Sequence, residues 1–102
     1  MERVVIVNVK YLVTDGNRDK VLGIAWDTRK VARTMPGNIE YCAYASPDGD
    51  NEIFSIEKWE SLDHLKDYIE TSCCQGFIKK RAPYLVEGSK VTEIYESHAV
   101  SI

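Results

Sequence analysis

Apolar and polar positions change period several times along the chain, and those changes divide it into elements. Residues 4 to 13, VVIVNVKYLV, are dense in β-branched side chains and stop at the turn-forming TDGN, which predicts a strand. Alternation assigns Val5, Val7, Val9, Tyr11 and Val13 to one side and Val4, Ile6, Asn8, Lys10 and Leu12 to the other. Both sides are mostly apolar, so both need a cover, one from helices of the same chain and one from something else. From about Asn17 to Met35 the spacing becomes helical, with Val21, Ile24, Ala25, Val31, Ala32 and Met35 on one stripe. Asp15-Gly16-Asn17 starts this helix, and Met35-Pro36-Gly37 stops it.

NIEYCAYAS and EIFSIEKW flank the turn residues PDGDN, which predicts an antiparallel hairpin with strands at about 38 to 46 and 52 to 59. A second helix begins at the N-cap Ser61, with Leu62, Leu65, Tyr68 and Ile69 as its buried stripe. A short helix at roughly 75 to 81 precedes Pro83, and SKVTEIYE, residues 89 to 96, forms the last strand. The order β-α-β-β-α-β is that of a ferredoxin-like α+β fold, a four-stranded antiparallel sheet with helices on one face. The other face stays bare. If it carries Val5, Val7, Val9, Phe54 and Ile56, a lone copy exposes a sizeable apolar patch, and a homodimer that pairs two sheets covers it.

Size and charge narrow the partners. A chain of 102 residues with 44% hydrophobic content suits one domain over 1–102, with a core at about 4–96 and a polar tail at 97–102. The net charge is −3 and the basic cluster Lys79-Lys80-Arg81 is too short to neutralise a phosphate track, so nucleic acid is not an expected partner. The start, MERVVIVNVKYLV, reads as a strand and not a signal peptide, because an acid follows Met1 and Asn8 and Lys10 interrupt the apolar run. No stretch has the roughly 18 to 20 apolar residues that cross a bilayer, so no membrane association is expected. Three cysteines without regular spacing fit thiols in a reducing, cytoplasmic setting.

Candidate chemistry concentrates between residues 55 and 79. Cys73 and Cys74 are adjacent, so their side chains diverge and no Cys-x-x-Cys metal or redox pair forms; no metal ligand set is assigned. His98 lies in a tail without a placed position. Alternation puts Ser55, Glu57 and Trp59 on one face of the third strand. A glutamate there either faces a solvated cavity or pairs with a lysine at the rim, since an isolated buried carboxylate is costly. Trp59 at a strand end suits a core position. Asn8, an amide within a valine-rich strand, needs partners from another side chain or from a ligand. His64 and Tyr68 are one helical turn apart, so they project together, and His64 is either a solvated residue or a general base.

The phrases MPGNIEYCAY, IEKWESLDHL and APYLVEGSKVTEIYE resemble those of the antibiotic biosynthesis monooxygenase family, and the likeness runs from Val4 to Glu96. It implies a dimeric α+β barrel, with a pocket between sheet and helices lined by Asn8, Ser55, Glu57 and Trp59. Trp59 stands where the family's signature tryptophan stands, with Glu57 before it and Ser61 after it. The anthraquinone-oxidising type has an asparagine, a tyrosine and an arginine where this chain has Ser55, Leu65 and Lys79, which implies a different substrate. The haem-degrading type needs a tryptophan and an iron-binding histidine where this chain has Tyr68 and Ile78, which disfavours haem. In the quinol-oxidising type His64 matches, while Tyr68 and Cys73 replace two histidines.

The resemblance implies a monooxygenase that uses molecular oxygen on a quinol, polyphenol or polyketide-like aromatic, with no cofactor. The expected catalytic residues are His64, Glu57 and Asn8; the expected substrate contacts are Trp59, Ser55, Tyr68, Cys73 and Lys79, with Cys74 as packing. The chain carries no GxGxxG or P-loop. A non-catalytic small-molecule-binding domain of the same fold is the alternative, followed by a sugar-phosphate isomerase.

Overall fold

The computed structural model describes residues 3–102. Met1 and Glu2, part of the signal-peptide reading, lie outside them. The elements follow one another as β1 (Arg3–Leu12), α1 (Arg18–Ala32), β2 (Asn38–Ala45), β3 (Glu52–Trp59), α2 (Leu62–Ile69), α3 (Ser72–Arg81), a 3₁₀ turn (Ala82–Tyr84) and β4 (Val91–His98). The four strands form one antiparallel sheet in the order β2-β3-β1-β4, the ferredoxin-like arrangement expected from the pattern. No helix among the described residues is long and apolar enough to cross a membrane.

Local chemistry sets the helix limits. Ser61 caps α2 by accepting the backbone N–H of His64 at 3.1 Å, and Thr71 caps α3 by accepting that of Cys74 at 3.2 Å. The second cap explains why α3 begins at Ser72, earlier than the expected start near 75: TSCC supplies its own N-terminus. Between α1 and β2 the chain reverses at Gly37, whose φ of +78° suits glycine, and a Cβ there would overlap the His64 ring. Arg29 ties the same junction by donating from Nε to the carbonyl of Tyr41 at 2.8 Å.

The register decides which side of each strand meets the helices. Val5 lies opposite Trp59, Val7 opposite Glu57, Val9 opposite Ser55 and Tyr11 opposite Ile53, and this set packs under α1, α2 and α3. The bare face instead carries Val4, Ile6, Asn8, Lys10 and Leu12, with Ile56 and Phe54 opposite Asn8 and Lys10. The expectation that Val5, Val7 and Val9 join Phe54 and Ile56 on the bare face is therefore corrected. The two groups are on opposite sides because the pleat alternates them. β4 extends to His98, so the tail begins at Ala99 rather than at residue 97.

Two apolar clusters fill the layer between sheet and helices. One gathers Val5, Val7, Ala32, Tyr41, Trp59, Leu65 and Tyr68; the other gathers Tyr11, Val13, Val21, Ala25, Ala43 and Ile53. Trp59 is fully buried, and burying so large a ring contributes on the order of 3 kcal/mol. β4 lies outside the helix cover, with Val91, Ile94 and Tyr95 about half exposed.

Candidate functional site

A cavity of about 150 Å³ opens between these two clusters, walled by Val7, Val9 and Tyr11 of β1, Tyr41 and Ala43 of β2, and Ser55 and Glu57 of β3. Leu65 and Tyr68 of α2 and Cys74, Phe77 and Arg81 of α3 close it from the helix side. Ala25 of α1 adds a buried wall, and the remaining walls, Ile69, Ile78, Lys90, Thr92 and Ile94, are exposed, so the mouth lies between α3 and the uncovered β4. The cavity is thus mostly apolar with a few convergent polar groups, the usual composition of a small-molecule site.

Glu57 is the carboxylate of its lining. The strand pleat aims it at the helices, where it loses much of its contact with water, and that burial raises its pKa above the ordinary carboxylate value. Trp59 opposes the rise by donating from Nε1 to Oε1 of Glu57 at 3.1 Å, which favours the charged form. Trp59 also stacks on Tyr68, with ring centroids 4.8 Å apart at 30°, and Tyr68 meets Tyr41 edge-on at 6.2 Å and 71°. A carboxyl, an indole and two phenols therefore form one packed group at this end of the cavity.

The two phenols are held as O–H groups. Burial, with the Glu57 charge adding to it, pushes Tyr41 far above the ordinary tyrosine value. Burial, with Tyr41 and then Glu57 adding to it, does the same to Tyr68. Burial likewise pushes the Cys74 thiol up to about 11, with the Glu57 charge as the second cause and Arg81 pulling the other way. Burial thus favours the neutral, less nucleophilic thiol at Cys74.

Arg81 occupies the opposite end. It is 6% exposed, and its guanidinium carbon lies 4.8 Å from the ring centroids of both Tyr11 and Phe77. Burial raises the Tyr11 pKa while Arg81 acts to lower it. No carboxylate pairs with Arg81 among the described residues, and its buried Nε–H has no hydrogen-bond partner.

Of the eight residues expected at the site, Glu57, Ser55 and Tyr68 meet in the cavity. The other five lie outside its lining. Asn8 is on the opposite sheet face, across from Ile56, because the pleat separates it from Val7 and Val9; its Oδ1 is buried without a partner. Trp59 sits behind the wall, where it orients Glu57 instead of touching the cavity. His64 packs over Gly37 with its Nδ1 2.7 Å from Ser61 Oγ, in a separate hollow of about 70 Å³ that it shares with Tyr68.

Cys73 and Cys74 exchange places. Cys73 turns toward α1, with Sγ 3.8 Å from the Thr28 carbonyl, and Cys74 lines the cavity, because consecutive residues on a helix point about 100° apart. The same rotation leaves Lys79 exposed and turns Arg81 inward. Trp26 lies on the surface, half exposed, with the Arg29 guanidinium 5.1 Å from its ring centroid. Tyr11, Tyr41 and Arg81, with Lys90 and Thr92 at the mouth, are the polar groups not expected from the sequence. Val7-x-Val9-x-Tyr11 on the side shared with Glu57 was the available signal for Tyr11, whereas Arg81 was masked by its two neighbouring lysines.

The cavity does not suit haem as a bound group. No histidine lines it, Ile78 stands where the resemblance would put the iron ligand, and its one thiol is held protonated.

The family model for the antibiotic biosynthesis monooxygenases matches residues 4–80. No curated protein matches the chain. Among solved structures, one from Nitrosomonas europaea described as a candidate antibiotic biosynthesis monooxygenase aligns with a TM-score of 0.87 at 14% identity, over 95% of this chain and 92% of that one. One so described from Deinococcus radiodurans gives 0.85 at 13% identity, over 96% and 97%. A third from Chloroflexus aurantiacus gives 0.77 at 23% identity, over 96% and 94%. At these identities the structural likeness establishes the fold.

Proposed function

Because the chain belongs to the antibiotic biosynthesis monooxygenase family, we propose that it is a monooxygenase acting on an electron-rich aromatic, a quinol, polyphenol or polyketide-like phenol, with molecular oxygen and no cofactor. The observation that carries this reading is Glu57. A carboxyl with a raised pKa, at the wall of an apolar cavity and oriented by an indole N–H, is a group poised to take a phenolic proton.

The chemistry follows from the walls. Glu57 accepts the proton of a substrate hydroxyl, and Ser55 together with Tyr41 and Tyr68, phenols that burial favours in the neutral form, donates hydrogen bonds to the oxyanion that forms. The electron-rich anion then reduces dioxygen and forms a carbon–oxygen bond. A phenol plus O₂ becomes a quinone plus water: one oxygen atom enters the ring, the other leaves as water, and the substrate supplies all the electrons. Val7, Val9, Leu65 and Phe77 keep the intermediate away from bulk water. Of the two bases expected, His64 and Glu57, the role is assigned to Glu57, since His64 faces another hollow.

Two copies would pair through the bare sheet face, which holds Val4, Ile6, Phe54, Ile56 and the half-exposed Tyr44 and Tyr95. The three free cysteines suit the cytoplasm.

Oxygen consumption by metal-stripped protein against hydroquinones, anthrones and catechols, with ¹⁸O₂ to trace the inserted atom, tests the reading. Uptake above the spontaneous rate with label in the product supports it. No uptake from folded protein that still binds these aromatics returns the chain to a binding domain.

A further inference from the structure

We propose that Arg81 makes the far end of the cavity an anion site, so that the ligand is an elongated aromatic with an ionised acid, a carboxylate or its equivalent, opposite the hydroxyl that meets Glu57. This rests on the cavity being the ligand site. Four observations on the described residues carry it. Arg81 is more than nine-tenths buried, lines the cavity and has no carboxylate within ion-pairing distance, and its Nε–H is orphaned. An arginine keeps its charge in proteins, so a buried guanidinium without a counter-charge favours a ligand that brings one.

The geometry is suited to that partner. Tyr11 and Phe77, each with its ring centroid 4.8 Å from the guanidinium carbon, restrict the side chain, and the Tyr11 hydroxyl engages it by a side-chain hydrogen bond. The orphaned Nε–H edge remains for a planar, two-oxygen acceptor, the arrangement in which arginine surpasses lysine. The two ends of the cavity are also well separated. Glu57 stands across from Val7 on β1 and Arg81 lies against Tyr11, four residues further along a strand that rises about 3.3 Å per residue. Cys74 lies between them and responds to both charges. The ligand length implied is that of two or three fused rings, with the reacting hydroxyl at one end and the acid at the other.

The test compares 6-hydroxy-2-naphthoate with its neutral carboxamide by calorimetry. Wild-type protein binds the acid at least tenfold more tightly than the amide. In Arg81→Gln the preference falls to within twofold while amide affinity holds, Arg81→Lys keeps part of it, and Lys79→Gln and Lys90→Gln keep nearly all. Equal affinity of wild-type protein for both compounds overturns the anion site and leaves the pocket standing. Binding of neither overturns the pocket reading and this proposal together. A preference that survives Arg81→Gln but disappears in Lys90→Gln also overturns it. Should Arg81→Gln not fold, the wild-type comparison and Arg81→Lys still decide the matter.

Discussion

The two faces of the sheet are built from the same strands and nearly the same apolar residues, yet they treat a buried polar group in opposite ways. On the helix side Glu57 has an indole donor, flanking phenols and a cavity in front of it. On the bare side Asn8, one residue from Val7 and across from Ile56, has a buried Oδ1 with no partner. Polarity within an apolar strand therefore does not itself mark a site. What marks one is convergence of polar groups from several elements on a shared space.

The largest effect on that comparison should come from Trp59, which both fills the helix-side core and orients Glu57. Trp59→Ala should lower unfolding free energy by about 3–5 kcal/mol in urea titrations. Trp59→Phe retains most of the packing and removes the donor. Since that bond favours the charged carboxylate, its loss should move the Glu57 titration further up when followed by carboxyl-carbon NMR.

Glu57 itself gives a pH signature. Its folded pKa lies above its unfolded one, so the folded state holds the proton more tightly. The stabilising effect is complete below the unfolded value of about 4.3 and disappears as pH rises through the raised folded value. Glu57→Gln should remove that decline, so variant and wild type should converge in stability at low pH and separate toward neutrality. Catalysis has the opposite slope: the base must be ionised, so activity should rise with pH across the same interval.

A smaller change is expected at Gly37. Gly37→Ala places a Cβ in the His64 ring and forces an unfavourable positive φ, costing on the order of 1–3 kcal/mol by thermal unfolding with little effect on the cavity. On the bare face, Ile56→Asp should change the fold of one copy by only about 0.5–1 kcal/mol. The same change should shift the proposed dimer to monomer in sedimentation. Unchanged sedimentation would remove this face from the interface.

Much of the fold was legible because turns and periods punctuate it. TDGN, MPG and PDGDN each fall between the elements they were expected to separate, although α1 already ends at Ala32, short of the expected Met35, and Ser61 caps the helix expected of it. The site was less legible, for a geometric reason. β1 is apolar on both sides, so alternation separates its residues into two sets without saying which set meets the helices. The resemblance then grouped Asn8 with Glu57 although the register separates them. On α3 the uncertainty is rotational: Cys73 and Cys74, or Lys79 and Arg81, differ by one or two steps of about 100°, and only packing against α1 and β1 selects Cys74 and Arg81.

The most direct measurement sets the two faces against each other: oxygen uptake with the best hydroquinone or anthrone, comparing Glu57→Gln with Asn8→Val. Glu57→Gln should lower the rate about a hundred- to ten-thousand-fold with the protein still folded, while Asn8→Val, which removes an amide whose buried Oδ1 has no partner, should stay within about twofold of wild type. A variant without Glu57 that turns over normally, or loss of turnover in Asn8→Val, would contradict the assignment of the chemistry to the helix-covered face.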